Sequence, residues 1–272
     1  MSEKLRILCI GAHPDDCEFL VGGSAILWAA QGHTVRLVSA TDGQTGHYNQ
    51  GGVVLAQRRI AEAKAAAALL GAESLVLPIP NGQIEPVMIY RWMFIRMIRQ
   101  FNPDLILTHR PNDYHPDHRY TSQLVMDSAY VVTVPNDCAD TPAMKTNPVI
   151  GYFADRFRKP CPFEPTVAID ISSVIARKFD ALHCHQSQQY EWLPYNKGQL
   201  DQVPADDKGR RQWLFEQRSG WDAQLAEKYR PLLIERYGPQ RGPAVKYAEA
   251  FEGCEYGTPM NQTQIQRLFA GL

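Results

Sequence analysis

Between Leu5 and Thr108, short apolar runs alternate with helix-like stretches, and this rhythm restricts the chain to a parallel α/β architecture. Leu5–Gly11 (LRILCIG) is a continuous apolar run ending at glycine, as a strand buried on both faces requires. Phe19–Gln31 carries apolar residues at helical spacing and stops at Gly32. His33–Ala40 reads as a second strand, closed by the turn sequence Thr41-Asp42-Gly43. Val54–Leu70 is Ala-rich, bears Arg58, Arg59, Glu62 and Lys64, and ends at Gly71 as a helix does at its C-cap. Ser74–Ile79 and Asp104–Thr108 supply two more strands, with a helix over Pro86–Gln100 between them. Units of this length require right-handed crossovers, hence a Rossmann-like, mostly parallel sheet with helices on both faces.

Beyond Pro135 the alternation breaks. Val149–Ala154 and Thr166–Ile171 read as strands, Ser172–Gln186 as a helix capped by serine, and Arg211–Glu216 and Ala223–Glu235 as helical pieces. Trp192, Trp213 and Trp221 all fall here, so the segment is expected to be ordered. The 272 residues lie between one and two average domains. The expected arrangement is one domain, with a Rossmann-like core over 1–135 and a C-terminal α/β elaboration over 136–272.

Composition narrows the partner. Lys plus Arg number 28 against 29 Asp plus Glu, a formal charge of −1, which argues against nucleic acid because phosphate binding needs concentrated positive charge. No run approaches the ~18 apolar residues that span a bilayer, so membrane insertion is not expected. The N-terminal apolar run is short and followed by acidic residues, unlike a secretory signal. The six cysteines form no CxxC pair and read as thiols in a reducing, cytoplasmic setting. A small-molecule partner is expected, and the aromatics of the second half fit either a homo-oligomer contact or a sugar-stacking wall.

Two sequences of one type sit where such a fold binds ligands, outside the carboxyl ends of strands. Ala12-His13-Pro14-Asp15-Asp16 follows the first strand, and His115-Pro116-Asp117-His118 follows the fourth. Either alone reads as a turn, since Asp and Pro serve turns readily. Both at the ends of strands that neighbour one another in the common strand order point to one shared crevice. Histidine with carboxylate is the donor set of a catalytic Zn2+, or of another divalent ion such as Fe2+. Three protein ligands are needed, and His13, Asp16 and His118 meet that count, which leaves Asp15 and His115 beside the metal as acid–base candidates. With Pro116 opening a helix, His115 and His118 share a face of its first turn. Dinucleotide binding in the G-x-G-x-x-G mode is not expected, because Gly11, Gly22 and Gly23 do not form that pattern and carboxylates occupy the phosphate position.

AHPDD after the first strand, with HPDH after a later one, resembles the LmbE/PIG-L-type de-N-acetylases. Thr41-Asp42-Gly43, the helix beginning at Arg58, Pro111-Asn112-Asp113, His185-Gln186-Ser187-Gln188 and Ala248-Glu249-Ala250-Phe251 are similar to further elements of that family. The resemblance implies a zinc-dependent hydrolase that removes acetyl groups from N-acetylglucosamine-containing or related compounds. It implies His13, Asp16 and His118 as ligands, Asp15 as general base and His115 as stabiliser of the oxyanion.

Around this centre, Asp42, Arg58, Arg59, Asp113, Asp117 and His185 are candidates for substrate contact or for orienting the ligands. Asp113 is expected to orient a ligand histidine and Asp117 to orient His115. His47 and Tyr48 lie in a glycine-rich loop that reads as a lid or as a mobile surface loop. His183 and His185 flank Cys184, but their spacing points them apart. Two competing readings are a metal-dependent phosphoester hydrolase, which would need more carboxylates for two metals, and a non-catalytic sugar- or metal-binding protein.

Overall fold

A computed structural model describes residues 3–272. The first half alternates as β1 (Arg6–Gly11), α1 (Asp16–Ala30), β2 (Thr34–Ser39), α2 (Gly52–Leu70), β3 (Glu73–Val76), α3 (Met88–Phe101), β4 (Leu105–Thr108) and α4 (Pro116–Ala129). The second half holds β5 (Val149–Phe153), β6 (Val167–Asp170), α5 (Ile175–His183), a π-helical segment (Ser187–Trp192), α6 (Leu193–Asn196), α7 (Asp207–Arg218), α8 (Gly220–Lys228), α9 (Arg230–Arg241), β7 (Ala248–Gly253) and α10 (Gln262–Leu268).

One seven-stranded sheet runs β3-β2-β1-β4-β5-β7-β6, parallel except for β7, which pairs antiparallel with both β5 and β6. The order reverses between β1 and β4, which opens a crevice at their carboxyl ends. Side-chain alternation along β1 divides the core. Ile7 and Cys9 pack with α1, α5 and α10 on one face, whereas Leu8 and Ile10 pack with α3 and α4 on the other. Each large apolar side chain fully buried in this way contributes about 1.5–3 kcal/mol. Trp28 is fully buried and its Nε1 donates to Leu268 O, which ties α1 to α10.

Three local expectations are corrected. The helix expected over Ser172–Gln186 begins only at Ile175 and has no side-chain cap. Ser172 Oγ instead accepts from the backbone N–H of Lys246 and Tyr247 at the entry to β7. The piece expected over Ala223–Glu235 is two helices that meet at Tyr229. β7 itself was not expected, because its sequence AEAFEG carries a buried charge, Glu249, in place of an apolar alternation. Among the described residues no helix is long and apolar enough to cross a membrane.

Candidate active site

The two motifs converge at the β1/β4 switch point. β1 ends at Gly11, where a Cβ would lie 2.7 Å from Asp16 Cβ, so glycine lets Asp16 fold back over the strand end. Asp16 opens α1, where the helix dipole favours a carboxylate. Its Oδ2 accepts the backbone N–H of Ala12 at 2.9 Å and of His13 at 2.7 Å. Asp15, just before it, has φ 120°, a conformation rare for a residue with a side chain and strained by about 1–3 kcal/mol. The Asp15 carboxylate is buried and accepts from Gln189 Nε2 at 2.8 Å, on the π-helical segment.

The second motif enters from β4. Pro116 occupies the first turn of α4 as expected, and His115 caps the helix by accepting the Asp117 N–H on Nδ1 at 3.2 Å. A neutral His115 therefore carries its proton on Nε2. Asp16 Oδ2 lies 3.4 Å from His13 Nδ1 and 3.6 Å from His118 Nε2. Each of these rings has its other nitrogen on a second carboxylate: His13 Nε2 is 3.0 Å from Asp117, and His118 Nδ1 is 2.9 Å from Asp113. Donor atoms gather in two overlapping trios, each within 4.8 Å: His13, His115 and His118, and Asp16, His109 and His118.

Asp113 thus lies in hydrogen-bond reach of the His118 ring. Asp117 does not orient His115 through its carboxylate, which is held by His13 and by the Gly82 N–H; only its backbone reaches the His115 ring. His109, directly after β4, escaped the sequence reading. It is buried, stacks on His118 with ring centroids 4.0 Å apart, and accepts the Ala12 N–H on Nε2. Its place at a strand end was the available signal.

Electrostatics follow from the crowding of largely buried groups. Burial opposes charge on His13, but hydrogen bonds to Asp117 and Asp16 and their negative charge raise it to about 10. The same field favours any cation there. Asp16 is held well below the usual carboxylate range despite burial, chiefly by His118, His109 and His13. Asp15 is pushed up to about 6 by burial and by the charge of Asp16. His109 falls to about 4 through burial and the neighbouring His118, and His115 is lowered for similar reasons.

The remaining candidates sit further out. Asp42 accepts the Gln44 N–H in a turn. Arg58 pairs with Glu191 and Glu62 at the surface. Arg59 is buried, packs under Gly43 and Gly46, and bonds Gly46 O and Gln188. His185 is fully buried 3.3 Å from Glu18, behind Asp15, while His183 turns away to Tyr190 and Asp207. In the glycine-rich loop, His47 bonds Glu191 and Tyr48 stacks on both His47 and Tyr195, which holds the loop against the π-helical segment and α6. A cavity of about 620 Å³ opens beside the cluster, lined by Asp16, His109, Asp113 and His118 together with Phe19 and Trp221.

Comparison with known proteins places this geometry. A family model described as PIG-L, GlcNAc-PI de-N-acetylase, matches residues 8–129. The chain is 31% identical over 194 residues to Probable N-acetyl-alpha-D-glucosaminyl L-malate deacetylase 2 of Bacillus cereus, across 67% of this chain and 83% of the relative. It is 28% identical over 205 residues to diacetylchitobiose deacetylase of Thermococcus kodakarensis, across 70% and 74%. It is also 25% identical over 198 residues to 4-oxalmesaconate hydratase of Pseudomonas putida, across 70% and 76%. The fold is that of N,N'-diacetylchitobiose deacetylase from Pyrococcus horikoshii, with a TM-score of 0.69 at 24% identity over 91% of this chain and 83% of that one.

Proposed function

Because the chain belongs to the PIG-L family, we propose that it is a metal-dependent hydrolase that removes the acetyl group from an N-acetylated sugar or sugar conjugate. The observation that carries this reading is the pairing of His13 with Asp117 and of His118 with Asp113. A carboxylate on the far nitrogen of a histidine fixes its tautomer and aims the other nitrogen, as in carboxylate–histidine–metal arrangements. His13 Nδ1 and His118 Nε2 are thereby left facing Asp16 Oδ2, a donor set that suits Zn2+ or Fe2+. His109 fits the set less well, because its Nε2 already accepts the Ala12 N–H. A divalent ion held there supplies the Lewis acidity that polarises the acetyl carbonyl and acidifies water.

The chain's own groups do the rest. Asp15 takes the proton of the attacking water, and its raised pKa suits that work near neutral pH. Gln189 fixes the orientation of that carboxylate. His115, with its proton on Nε2, donates to the oxyanion that forms as the carbonyl becomes tetrahedral, an interaction worth about 3–4 kcal/mol. Asp15 then delivers its proton to the departing nitrogen, the C–N bond breaks, and acetate and a free amine leave. The six free cysteines support a reducing, cytoplasmic setting, and the single sheet supports treating the chain as one catalytic unit.

Two-metal phosphoester hydrolysis is the weaker reading, because Asp113 and Asp117 are engaged by histidines and leave Asp16 alone to hold metal. Likeness to a hydratase favours a second reading, addition of water to an unsaturated acid by the same centre. Acetate release from N-acetylated sugars, measured with metal-quantified protein before and after chelation, decides among these. Acetate that disappears with the metal and returns with Zn2+ or Fe2+ supports deacetylation. Consumption of an unsaturated oxo-acid without acetate release overturns it.

A further inference from the structure

The cavity beside the site carries three cations outside any ion pair, although the charges of Asp15, Asp16 and Asp222 reach Arg218 through space. Arg156, Lys197 and Arg218 line it, and among the described residues none forms an ion pair. The carboxylates on the same walls are engaged elsewhere. Asp155 is held by Arg110 through two 2.7 Å bonds, Asp113 by His118, and Asp16 by the histidine cluster. Instead of pairing with acids, the two guanidinium groups lie over aromatic rings, Arg218 at 3.9 Å from the Phe19 centroid and Arg156 at 4.7 Å from that of Trp221. Stacking engages the face of a guanidinium and leaves its in-plane N–H donors free. Among the described residues Arg218 gives one long hydrogen bond, 3.3 Å, to Gln189 Oε1.

We propose that the substrate carries an anionic group, carboxylate or phosphate, on the part that leaves as the amine, and that this group seats between Arg156, Lys197 and Arg218. This rests on the deacetylase reading for which bond is cut, but the anion subsite stands on the cavity itself. Like charges gathered in one cavity repel, and an incoming anion relieves that repulsion while accepting charge-assisted hydrogen bonds. Lys197 already shows the strain, its ammonium lowered by burial and by the charges of Arg218 and Arg156. Gln189 bridges Arg218 to Asp15, so the anion would be read on the same network that holds the base.

The test compares three N-acetylglucosamine derivatives: the neutral methyl glycoside, the carboxymethyl glycoside and the 1-phosphate. The wild type should favour at least one anionic derivative by about tenfold or more in kcat/KM, as one or two charge-assisted bonds imply. That ratio should fall toward one in the Arg156→Gln/Lys197→Gln variant, whose altered positions are exposed. The arm that shows the preference identifies carboxylate or phosphate. Acetate from all three derivatives at similar kcat/KM overturns the subsite and leaves deacetylation standing. If no derivative releases acetate, deacetylation fails, and calorimetry with inorganic phosphate and malonate reads the subsite directly. Binding that weakens about tenfold in the double variant supports it. Undetectable binding, or binding unchanged in the variant, overturns it.

Discussion

Asp117 holds the ring of His13 at 3.0 Å although 104 residues separate them, so the second motif orients the first across the β1/β4 switch point. Asp117→Asn retains an oxygen for His13 Nε2 and the Gly82 N–H but loses the charge. Metal affinity should fall about 10–100-fold, as for other carboxylates behind ligand histidines. Competition with a chromogenic chelator measures it, and wild-type affinity in the variant would remove Asp117 from this role.

Asp15 accepts from Gln189 and contributes no atom to either donor trio. Asp15→Asn should therefore keep one bound metal per chain while acetate release drops by about 10²–10⁴-fold, the range for loss of a general base. Metal content and turnover are read on the same sample. Loss of the metal together with activity would instead make Asp15 part of the binding set.

Arg58 and Arg59 are adjacent on α2 but differ in surroundings. Arg59→Ala removes a buried cation bonded to Gly46 O and Gln188, and should destabilise the fold by about 2–4 kcal/mol. Arg58→Ala breaks partly exposed ion pairs and should cost less than about 1 kcal/mol. Urea midpoints of the two variants give the comparison, and equal losses would contradict it.

A buried triad gives a pH signature. Lys178 Nζ bonds Asp222 and Glu249, and Glu249 also accepts the N–H groups of Gly23 and Ser24. Two carboxylates share one cation, and Asp222, whose Oδ2 has no hydrogen-bond partner among the described residues, is pushed up to about 6 by burial. Its folded pKa exceeds the unfolded value, so the native state binds the extra proton between about pH 4 and 6. Stability from this group therefore falls as pH rises through that window, by up to roughly 3 kcal/mol. Asp222→Asn has no such titration, so its stability relative to the wild type should rise between pH 4 and 7. A difference that stays flat with pH would count against the assignment.

Much of the fold was legible because it is encoded within short windows. The buried run of β1, the Gly71 C-cap of α2 and Pro116 at the start of α4 each depend on a few neighbouring residues. The expected ligands could be named for a related reason, since motifs at strand ends in a parallel sheet are brought together by topology. β7 was missed because Glu249 interrupts its apolar pattern, and that charge makes sense only once Lys178 and α1 surround it. Ser172 was misread because its backbone partners lie beyond residue 245.

The sequence by itself determined the strand–helix rhythm, the placement of both His-Pro-Asp motifs at the crevice, and the chemistry those residue types can support. Tertiary structure alone decided that the Asp117 carboxylate serves His13 and not His115, that His109 joins the cluster, and that three cations share a cavity without an ion-pair partner among the described residues. The division is physical. Backbone periodicity is a local property, whereas the direction of a side chain at a strand end is set by whichever partner the packed sheet brings within hydrogen-bond reach.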